Sequence, residues 1–212
     1  MIYSVKEIFY SLQGEGFHSG RPAVFCRFSG CNLWNGKKDD QANSICTFCD
    51  TDFVGTDGEH GGKYASPREL VQKINSLWPQ GVAEDNKFVV LTGGEPLLQV
   101  DVPLIIELHA QGFYIAVETN GTQLPPPGLD WICVSPKMNA GIILTGGNEL
   151  KLVYPQPGGD PAQFEDLEFE HFYLQPMDGP DREKNTRLAV EYCLRNPKWK
   201  LSLQTHKYLG IQ

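Results

Sequence analysis

The stretch AVFCRFSGC, residues 23–31, joins a strand-like run directly to a cysteine. Its first six residues are apolar apart from Arg27, which is typical of a strand buried on both faces of a parallel sheet. Ser29 and Gly30 then end the run, and Cys31 follows at its carboxyl end. Functional groups gather at this end of the strands in parallel α/β folds. The stretch therefore predicts a buried strand that delivers a thiol to a site.

Similar short runs recur along the chain, and most of them end in polar or glycine-rich segments. They are KFVVL (87–91), YIAVE (114–118), WICV (131–134), ELKLV (149–153), FYL (172–174) and a final run over residues 199–204. The segments that follow them include TGGEP, ETNGT, SPK and QPMD. Because the carboxyl ends of parallel strands share one edge of a sheet, we expect these segments to lie close to Cys31.

Helical patterns separate some of these strands. Ser66-Pro67-Arg68-Glu69 is a capping box with proline at the first helical position. One apolar stripe follows it at helical spacing, formed by Leu70, Val71, Ile74, Leu77 and Trp78. Two more helices are predicted over residues 102–111 and 186–195. The alternation predicts a mostly parallel sheet, and the helices are too few for an eight-fold barrel, so we expect a partial TIM-like barrel in one domain, 1–212.

Bulk properties exclude several classes of protein. The net charge of -8 argues against a nucleic-acid partner, since phosphate binding relies on clustered Lys and Arg. Charged residues interrupt the N-terminal segment where a signal peptide needs an apolar core, and no run is long enough to cross a bilayer. We expect a cytoplasmic protein without membrane contact. In that reducing compartment the six cysteines favour thiols or metal ligands over disulfides.

Three cysteines lie in the loop 31–49, at Cys31, Cys46 and Cys49. Structural zinc takes four ligands, so a zinc site would need His18 or His60 to fold back onto the loop. An iron–sulfur cube held by three thiolates would instead keep one iron open for a small molecule. The cysteine spacing alone therefore allows either zinc or an iron–sulfur cluster. The other cysteines, Cys26, Cys133 and Cys193, are expected to fill apolar positions.

The cysteines and the TGGEP segment (92–96) resemble those of radical S-adenosylmethionine enzymes. Phe48 stands before the last cysteine as in that superfamily, whose usual CxxxCxxC spacing is here expanded by eleven residues. With EIFYSLQGEG (7–16), VETNG, SPK, NELK and QPMDGP, essentially the whole chain is similar to the 7-carboxy-7-deazaguanine synthase family. The implied fold is the same partial barrel.

The resemblance implies conversion of 6-carboxy-5,6,7,8-tetrahydropterin to 7-carboxy-7-deazaguanine with loss of ammonia, a step towards queuosine. It implies a [4Fe-4S] cluster, S-adenosylmethionine and Mg²⁺ as cofactors, and a radical that abstracts hydrogen from C6 of the pterin. It also implies an electron donor such as flavodoxin or ferredoxin, and a homodimer. The alternatives are another radical enzyme, such as a glycyl-radical activase, or a zinc-stabilised binding module.

The resemblance also implies roles for individual residues. The cluster ligands are Cys31, Cys46 and Cys49, and the Mg²⁺ ligand is Thr51. The S-adenosylmethionine contacts are Gly94, Glu118, Ser135, Pro136, Lys137, Gln175, Pro176, Met177 and Asp178. The substrate contacts are Leu12, Gln13, Gly14, Glu15, Arg27, Thr92 and the terminal carboxylate of Gln212. Arg27 needs an anionic partner if it is buried, which is the substrate carboxylate, Glu15 or another acid.

Overall fold

A computed structural model describes residues 2–212 and contains one nine-stranded sheet in the order β3-β1-β2-β4-β5-β6-β7-β8-β9. The strands are β1 Tyr3–Leu12, β2 Pro22–Phe28, β3 Gly62–Tyr64, β4 Phe88–Gly93, β5 Tyr114–Thr119, β6 Trp131–Val134, β7 Gly146–Tyr154, β8 Glu168–Pro176 and β9 Trp199–Leu201. The helices are α1 Lys38–Gln41, α2 Pro67–Ser76, α3 Val102–Ala110, α4 Arg182–Arg195 and α5 Thr205–Leu209.

The sheet is largely parallel and open. Strands β2 and β4 to β9 run parallel to their neighbours in this series. Strand β1 is antiparallel to both of its neighbours, β2 and β3, so that within residues 2–212 it is the one strand of reversed direction. Within residues 2–212 the two edge strands, β3 and β9, do not pair with each other. The expectation of a partial TIM-like barrel is therefore confirmed, and β1 and β3 are elements that the sequence patterns did not predict.

The crossovers explain why the barrel is incomplete. Helix α2 precedes β4, α3 joins β4 to β5, and α4 joins β8 to β9. The proline-rich segment 122–130 joins β5 to β6 without a helix, and β6 to β8 are joined by loops and a short 3-10 turn. A chain with so few helical crossovers cannot surround a closed ring of eight strands.

Three predicted elements near the C-terminal end have other bounds in the structure. Strand β8 spans Glu168–Pro176 rather than residues 172–174 alone. Helix α4 begins at Arg182 rather than at residue 186, because Glu183 and Arg187 pair one turn apart and extend the helix towards its N-terminus. The last strand ends at Leu201 rather than at residue 204. The chain turns inward there, since the Ser202 hydroxyl accepts a hydrogen bond from the backbone N–H of Gly16 at 2.9 Å.

The two faces of the sheet have different roles. On one face, alternate residues of β2, β4 and β5 pack with the apolar stripes of α2 and α3 in the largest hydrophobic core. The capping box of α2 is present, with the Ser66 hydroxyl accepting from the N–H of Glu69 at 3.2 Å. The residues of β2, β4 and β5 that alternate with these core residues point to the opposite face of the sheet, as the two-residue period of a strand requires. That inner face lines the site.

None of the helices between residues 2 and 212 has the length and hydropathy to span a membrane.

Candidate active site

One cleft of about 370 Å³ lies at the carboxyl ends of the parallel strands. Its volume is in the range of pockets that enclose small molecules. Every residue that the sequence analysis assigned to a site lines this cleft except Pro136. The Pro136 carbonyl instead accepts a hydrogen bond from the side-chain amide of Gln156 in a buried position at 3.0 Å.

The three loop cysteines line one part of this cleft. Cys31 follows β2, and the loop returns Cys46 and Cys49 to the same wall. A small apolar core supports them, in which Leu33, Trp34, Cys46 and Phe53 are buried. The expanded loop is thus packed against its own aromatic residues.

The thiols differ in their surroundings. Burial raises the pKa of Cys31, although the backbone N–H of Leu33 reaches its Sγ at 3.4 Å. A hydrogen bond from Cys49 lowers the pKa of Cys46, and the nearby charge of Lys137 acts in the same direction. All six cysteines of the chain are free thiols. Three thiols on one wall therefore remain available as ligands.

The turn after β4 docks directly on the segment that carries Cys31. The backbone N–H of Glu95 donates to the carbonyl of Gly30 at 2.9 Å. A Cβ at Gly94 would overlap that carbonyl and crowd the Cβ of Cys31. Only glycine therefore allows this approach, which brings the turn against the first thiol.

Glu95 ties this turn to the next strand end. Its buried carboxylate accepts hydrogen bonds from the hydroxyl of Thr119 and the N–H of Asn120, both at 2.8 Å. Burial raises the pKa of Glu95, and these donors oppose that rise. The ends of β4 and β5 are thus held in register around the cleft, a cross-link that the sequence analysis did not identify.

The predicted zinc alternative required a histidine from His18 or His60. His18 packs instead in an aromatic cluster, with ring centroids 4.5 Å from Trp131 and 5.0 Å from Phe88. His60 lies beside Glu59, with its Nε2 3.6 Å from that carboxylate. Neither of these two histidines is among the residues that line the cleft. The two histidines that the zinc alternative called on are therefore not placed beside the three thiols.

The loop after β1 forms a polar wall of the same cleft. The side-chain amide of Gln13 donates to Glu118 at 3.2 Å. Glu15 and Glu118 both pair with the ammonium of Lys151, at 2.8 Å and 2.9 Å. Lys151 is a functional candidate that the sequence analysis missed, although the charged pair Glu149 and Lys151 within an apolar strand was a visible signal.

Arg27 also faces the cleft, from β2. Its Nε lies 2.7 Å from the Glu7 carboxylate on the neighbouring strand β1. Of the partners considered for Arg27, the structure therefore provides another acid, Glu7, while Glu15 is paired with Lys151. Thr92, one strand further along, lines the same wall. The wall that contains Glu7, Arg27 and Thr92 can thus present both cationic and anionic groups to a ligand.

The C-terminal segment closes one side of the cleft. The Gln204 amide donates to Glu15 at 2.9 Å, and the backbone N–H of Thr205 donates to the carbonyl of Gly14 at 2.9 Å. Lys207 bridges Asp50 and Asp178, at 2.6 Å and 2.7 Å. These contacts join the cysteine loop, the loop after β8 and the wall after β1, and no sequence pattern pointed to Gln204 or Lys207.

The remaining predicted cofactor contacts occupy the ends of β6 and β8. Lys137 Nζ donates to the carbonyl and hydroxyl of Ser135 at 2.7 Å and 2.9 Å, and it lies 5.8 Å from the ring centroid of Phe48. Gln175 is buried and accepts from the Ser202 hydroxyl at 3.2 Å. Met177 and Asp178 follow it along the wall. Thr51, next to Asp50, and Gln212 also line the cleft.

The residues present fit an iron–sulfur cluster with one open iron. Three thiols on one wall match a cube that lacks a fourth protein ligand. The absence of a Cβ at Gly94 lets the turn after β4 pack against Gly30 and Cys31, which places its backbone beside the first thiol. The polar groups of the loop after β1 can fix a second molecule in the same cleft.

Comparison with known proteins gives three findings. The model of the radical SAM superfamily matches residues 41–135. The 7-carboxy-7-deazaguanine synthases of Caulobacter vibrioides and Burkholderia multivorans are 62% and 59% identical to the chain, and each alignment covers 100% of both proteins. The crystal structure of QueE from Escherichia coli superposes with a TM-score of 0.71 at 28% identity, covering 96% of this chain and 94% of that one.

Proposed function

Because the chain belongs to the 7-carboxy-7-deazaguanine synthase family of radical S-adenosylmethionine enzymes, we propose that it converts 6-carboxy-5,6,7,8-tetrahydropterin to 7-carboxy-7-deazaguanine with loss of ammonia. This ring contraction is a step of queuosine precursor biosynthesis. The observation that carries the proposal is that one cleft holds both the three thiols and the polar wall after β1.

The cysteines and the turn at Gly94 form the cofactor half of the cleft. Cys31, Cys46 and Cys49 would bind three irons, and the backbone at Gly94 would contact the methionine part of S-adenosylmethionine. The chemistry that the bound cluster and S-adenosylmethionine supply is reductive formation of a carbon radical that abstracts hydrogen. The buried aromatic residues Trp34 and Phe53 of the cysteine loop support this half from beneath.

The polar wall forms the substrate half. Gln13 and Glu15 would match the donors and acceptors of the pyrimidinone edge of the pterin. Arg27 would bind the substrate carboxylate, since a guanidinium suits bidentate recognition of a carboxylate. This arrangement would hold C6 of the pterin towards the cofactor half, because reacting atoms need a fixed approach.

The assignment of Mg²⁺ to Thr51 forms part of the same proposal. Mg²⁺ prefers oxygen ligands, and water and substrate often supply most of them. One hydroxyl from the chain is therefore sufficient. In Thr51→Ala, calorimetry should show that added Mg²⁺ no longer tightens pterin binding, while S-adenosylmethionine binding is retained. Thr47→Ala, an exposed threonine of the same loop, is the control. An unchanged response to Mg²⁺ in Thr51→Ala would remove this residue from the site.

We also propose a homodimer in the cytoplasm that receives electrons from a flavodoxin or ferredoxin. Six free thiols and an oxygen-sensitive cluster suit a reducing compartment. Light scattering of the cluster-loaded protein measures the subunit number, and a mass of one chain would reject the dimer. Reduction of the cluster by each purified donor identifies the electron source.

The activity is tested by anaerobic reconstitution with iron and sulfide. The protein is then incubated with dithionite, S-adenosylmethionine, Mg²⁺ and the carboxypterin. We expect about four irons per chain and a product with the mass of 7-carboxy-7-deazaguanine. Formation of 5′-deoxyadenosine without this product would support a different radical enzyme. A colourless protein that retains only zinc would reject both.

A further inference from the structure

Lys151 is a buried ammonium to which the proposed reaction gives no role. It lies on β7, and only 3% of its surface is exposed. Its Nζ is 2.8 Å from Glu15 on the loop after β1 and 2.9 Å from Glu118 on β5. One cation therefore joins three separate elements at the wall of the cleft.

Most of the titratable groups around the Lys151 ammonium are acidic. The titratable groups that face it or its partners are Glu15, Glu118, Cys133, Glu149, Tyr173 and His206. Burial raises the pKa of Cys133 and of Glu149, which favours their neutral forms. Glu15 and Glu118 are the two carboxylates that pair directly with the ammonium of Lys151.

Glu15 shows what the ammonium does. Burial alone would raise the pKa of this carboxyl, but the charge and hydrogen bond of Lys151, with the amide of Gln204, lower it to about 2. An ionised carboxylate only accepts hydrogen bonds, whereas a protonated one also donates. The ring N–H and amino groups of a pyrimidinone are donors, so the ionised form is the complementary one.

We propose that Lys151 is a positioning residue that holds Glu15 in place as an ionised acceptor for the N–H edge of the substrate ring, with Glu118 as the second carboxylate that pairs with the ammonium. The inference rests on the proposed function for the identity of that ring. The effect of Lys151 on the ionisation of Glu15 does not depend on that ring. It depends only on the contacts among Lys151, Glu15 and Glu118. Removal of the ammonium leaves a buried carboxylate without its counterion, which then binds a proton.

The first test needs no substrate. Infrared spectra of the cluster-loaded protein at pH 7 compare the wild type with Lys151→Met, which keeps the length of the side chain without its charge. We expect the variant to gain the C=O band of about one protonated carboxyl. Lys151→Met/Glu15→Gln should lose that band. Lys151→Arg keeps the charge and should not show it, and Lys63→Met is the control at an exposed lysine.

The second test measures binding of the carboxypterin by calorimetry in buffers of different ionisation enthalpy. Wild-type protein loaded with cluster and S-adenosylmethionine should release no proton when it binds. Lys151→Met should release about one proton and bind about tenfold more weakly, because Glu15 must ionise first. In the pH profile of kcat/KM, the acidic limb of Lys151→Met should lie closer to neutral pH than that of the wild type. A purely structural role of Lys151 would not produce this change.

The outcomes separate the two proposals. A folded Lys151→Met protein without a new protonated carboxyl overturns the inference, whatever the substrate is. A new band in a protein whose wild type does not bind carboxypterin rejects the proposed function and the ring assignment, and it retains the charge-holding role. If Lys151→Met does not fold, Lys151→Met/Glu15→Gln/Glu118→Gln removes all three charges. Binding of carboxypterin by that variant at wild-type strength would overturn the inference.

Discussion

Arg27 Nε donates a hydrogen bond to Glu7 Oε1 at 2.7 Å, across the antiparallel pair of β1 and β2. Within residues 2–212 the Arg27 side chain makes this one hydrogen bond. It uses one of the five N–H donors of the guanidinium. Glu7 therefore fixes the plane of the guanidinium and leaves its terminal nitrogens for a ligand carboxylate.

We expect Arg27→Lys to raise the KM for the carboxypterin by about 10- to 100-fold, because lysine cannot hold Glu7 and bind a carboxylate in two places at once. Steady-state kinetics with saturating S-adenosylmethionine measures this. A pterin without the 6-carboxylate should bind equally weakly to both proteins. A wild-type KM in Arg27→Lys would exclude Arg27 from carboxylate binding.

Cys46→Ala should abolish reductive cleavage of S-adenosylmethionine, because a cube held by two thiolates is not retained. The fold should persist, since Cys46 belongs to the small core of the cysteine loop and not to the sheet. Iron content and 5′-deoxyadenosine are the measurements. Cys193→Ala, on α4, is the control and should keep the wild-type values. Normal cleavage by Cys46→Ala would contradict the ligand assignment.

Gly94→Ala should reduce S-adenosylmethionine cleavage by about tenfold or more, because its Cβ would force the turn away from Gly30 and Cys31. Gly141→Ala is the matched control, since a Cβ there meets no atom within 4 Å. Cofactor binding by calorimetry and turnover are compared for the two variants. Equal behaviour would show that the turn does not need this close approach.

His18 gives a prediction for stability against pH. Burial lowers the pKa of His18 to about 4, and the charges of Arg21 and His171 act in the same direction. The unfolded chain binds this proton near pH 6.5, so stability should fall between about pH 6.5 and pH 4 and the effect should be absent above that window. The ring is half-buried, so the slope is smaller than the roughly 1.4 kcal/mol per pH unit of one full proton.

Denaturant unfolding at several pH values tests this, with His18→Phe as the variant. The variant should lose this part of the pH dependence, because phenylalanine fills the aromatic cluster without titrating. His109→Gln, at a more exposed histidine, is the control. The same pH dependence in His18→Phe and wild type would show that His18 does not cause the loss.

The sequence patterns were sufficient for the parallel strands and for the edge at which they end. Runs such as residues 87–91 are apolar because both of their faces are covered, which is a local signal of a buried strand. Cys31 after β2 and the glycines Gly93 and Gly94 at the end of β4 line one cleft because the carboxyl ends of parallel strands share one edge. The resemblance to a known family supplied their individual roles.

Long-range ion pairs explain what the patterns missed. In β1, Lys6 is buried because Asp52 and Asp57 lie 2.9 Å and 2.8 Å from its Nζ, so a charged residue occupies a strand position that local rules treat as exposed. Lys151 is buried for the same reason, through Glu15 and Glu118. A short sequence window contains only one member of each pair, so it cannot distinguish a paired charge from a solvated one.

The contact between Thr205 and Gly14 joins residues 191 positions apart. During synthesis on a ribosome, all three thiols therefore emerge long before the segment that completes the wall after β1. We expect a nascent chain to be able to accept iron and sulfide at a stage when it has no place for a pterin. The order of translation would then set the order of assembly, with the inorganic centre first and the substrate chamber last.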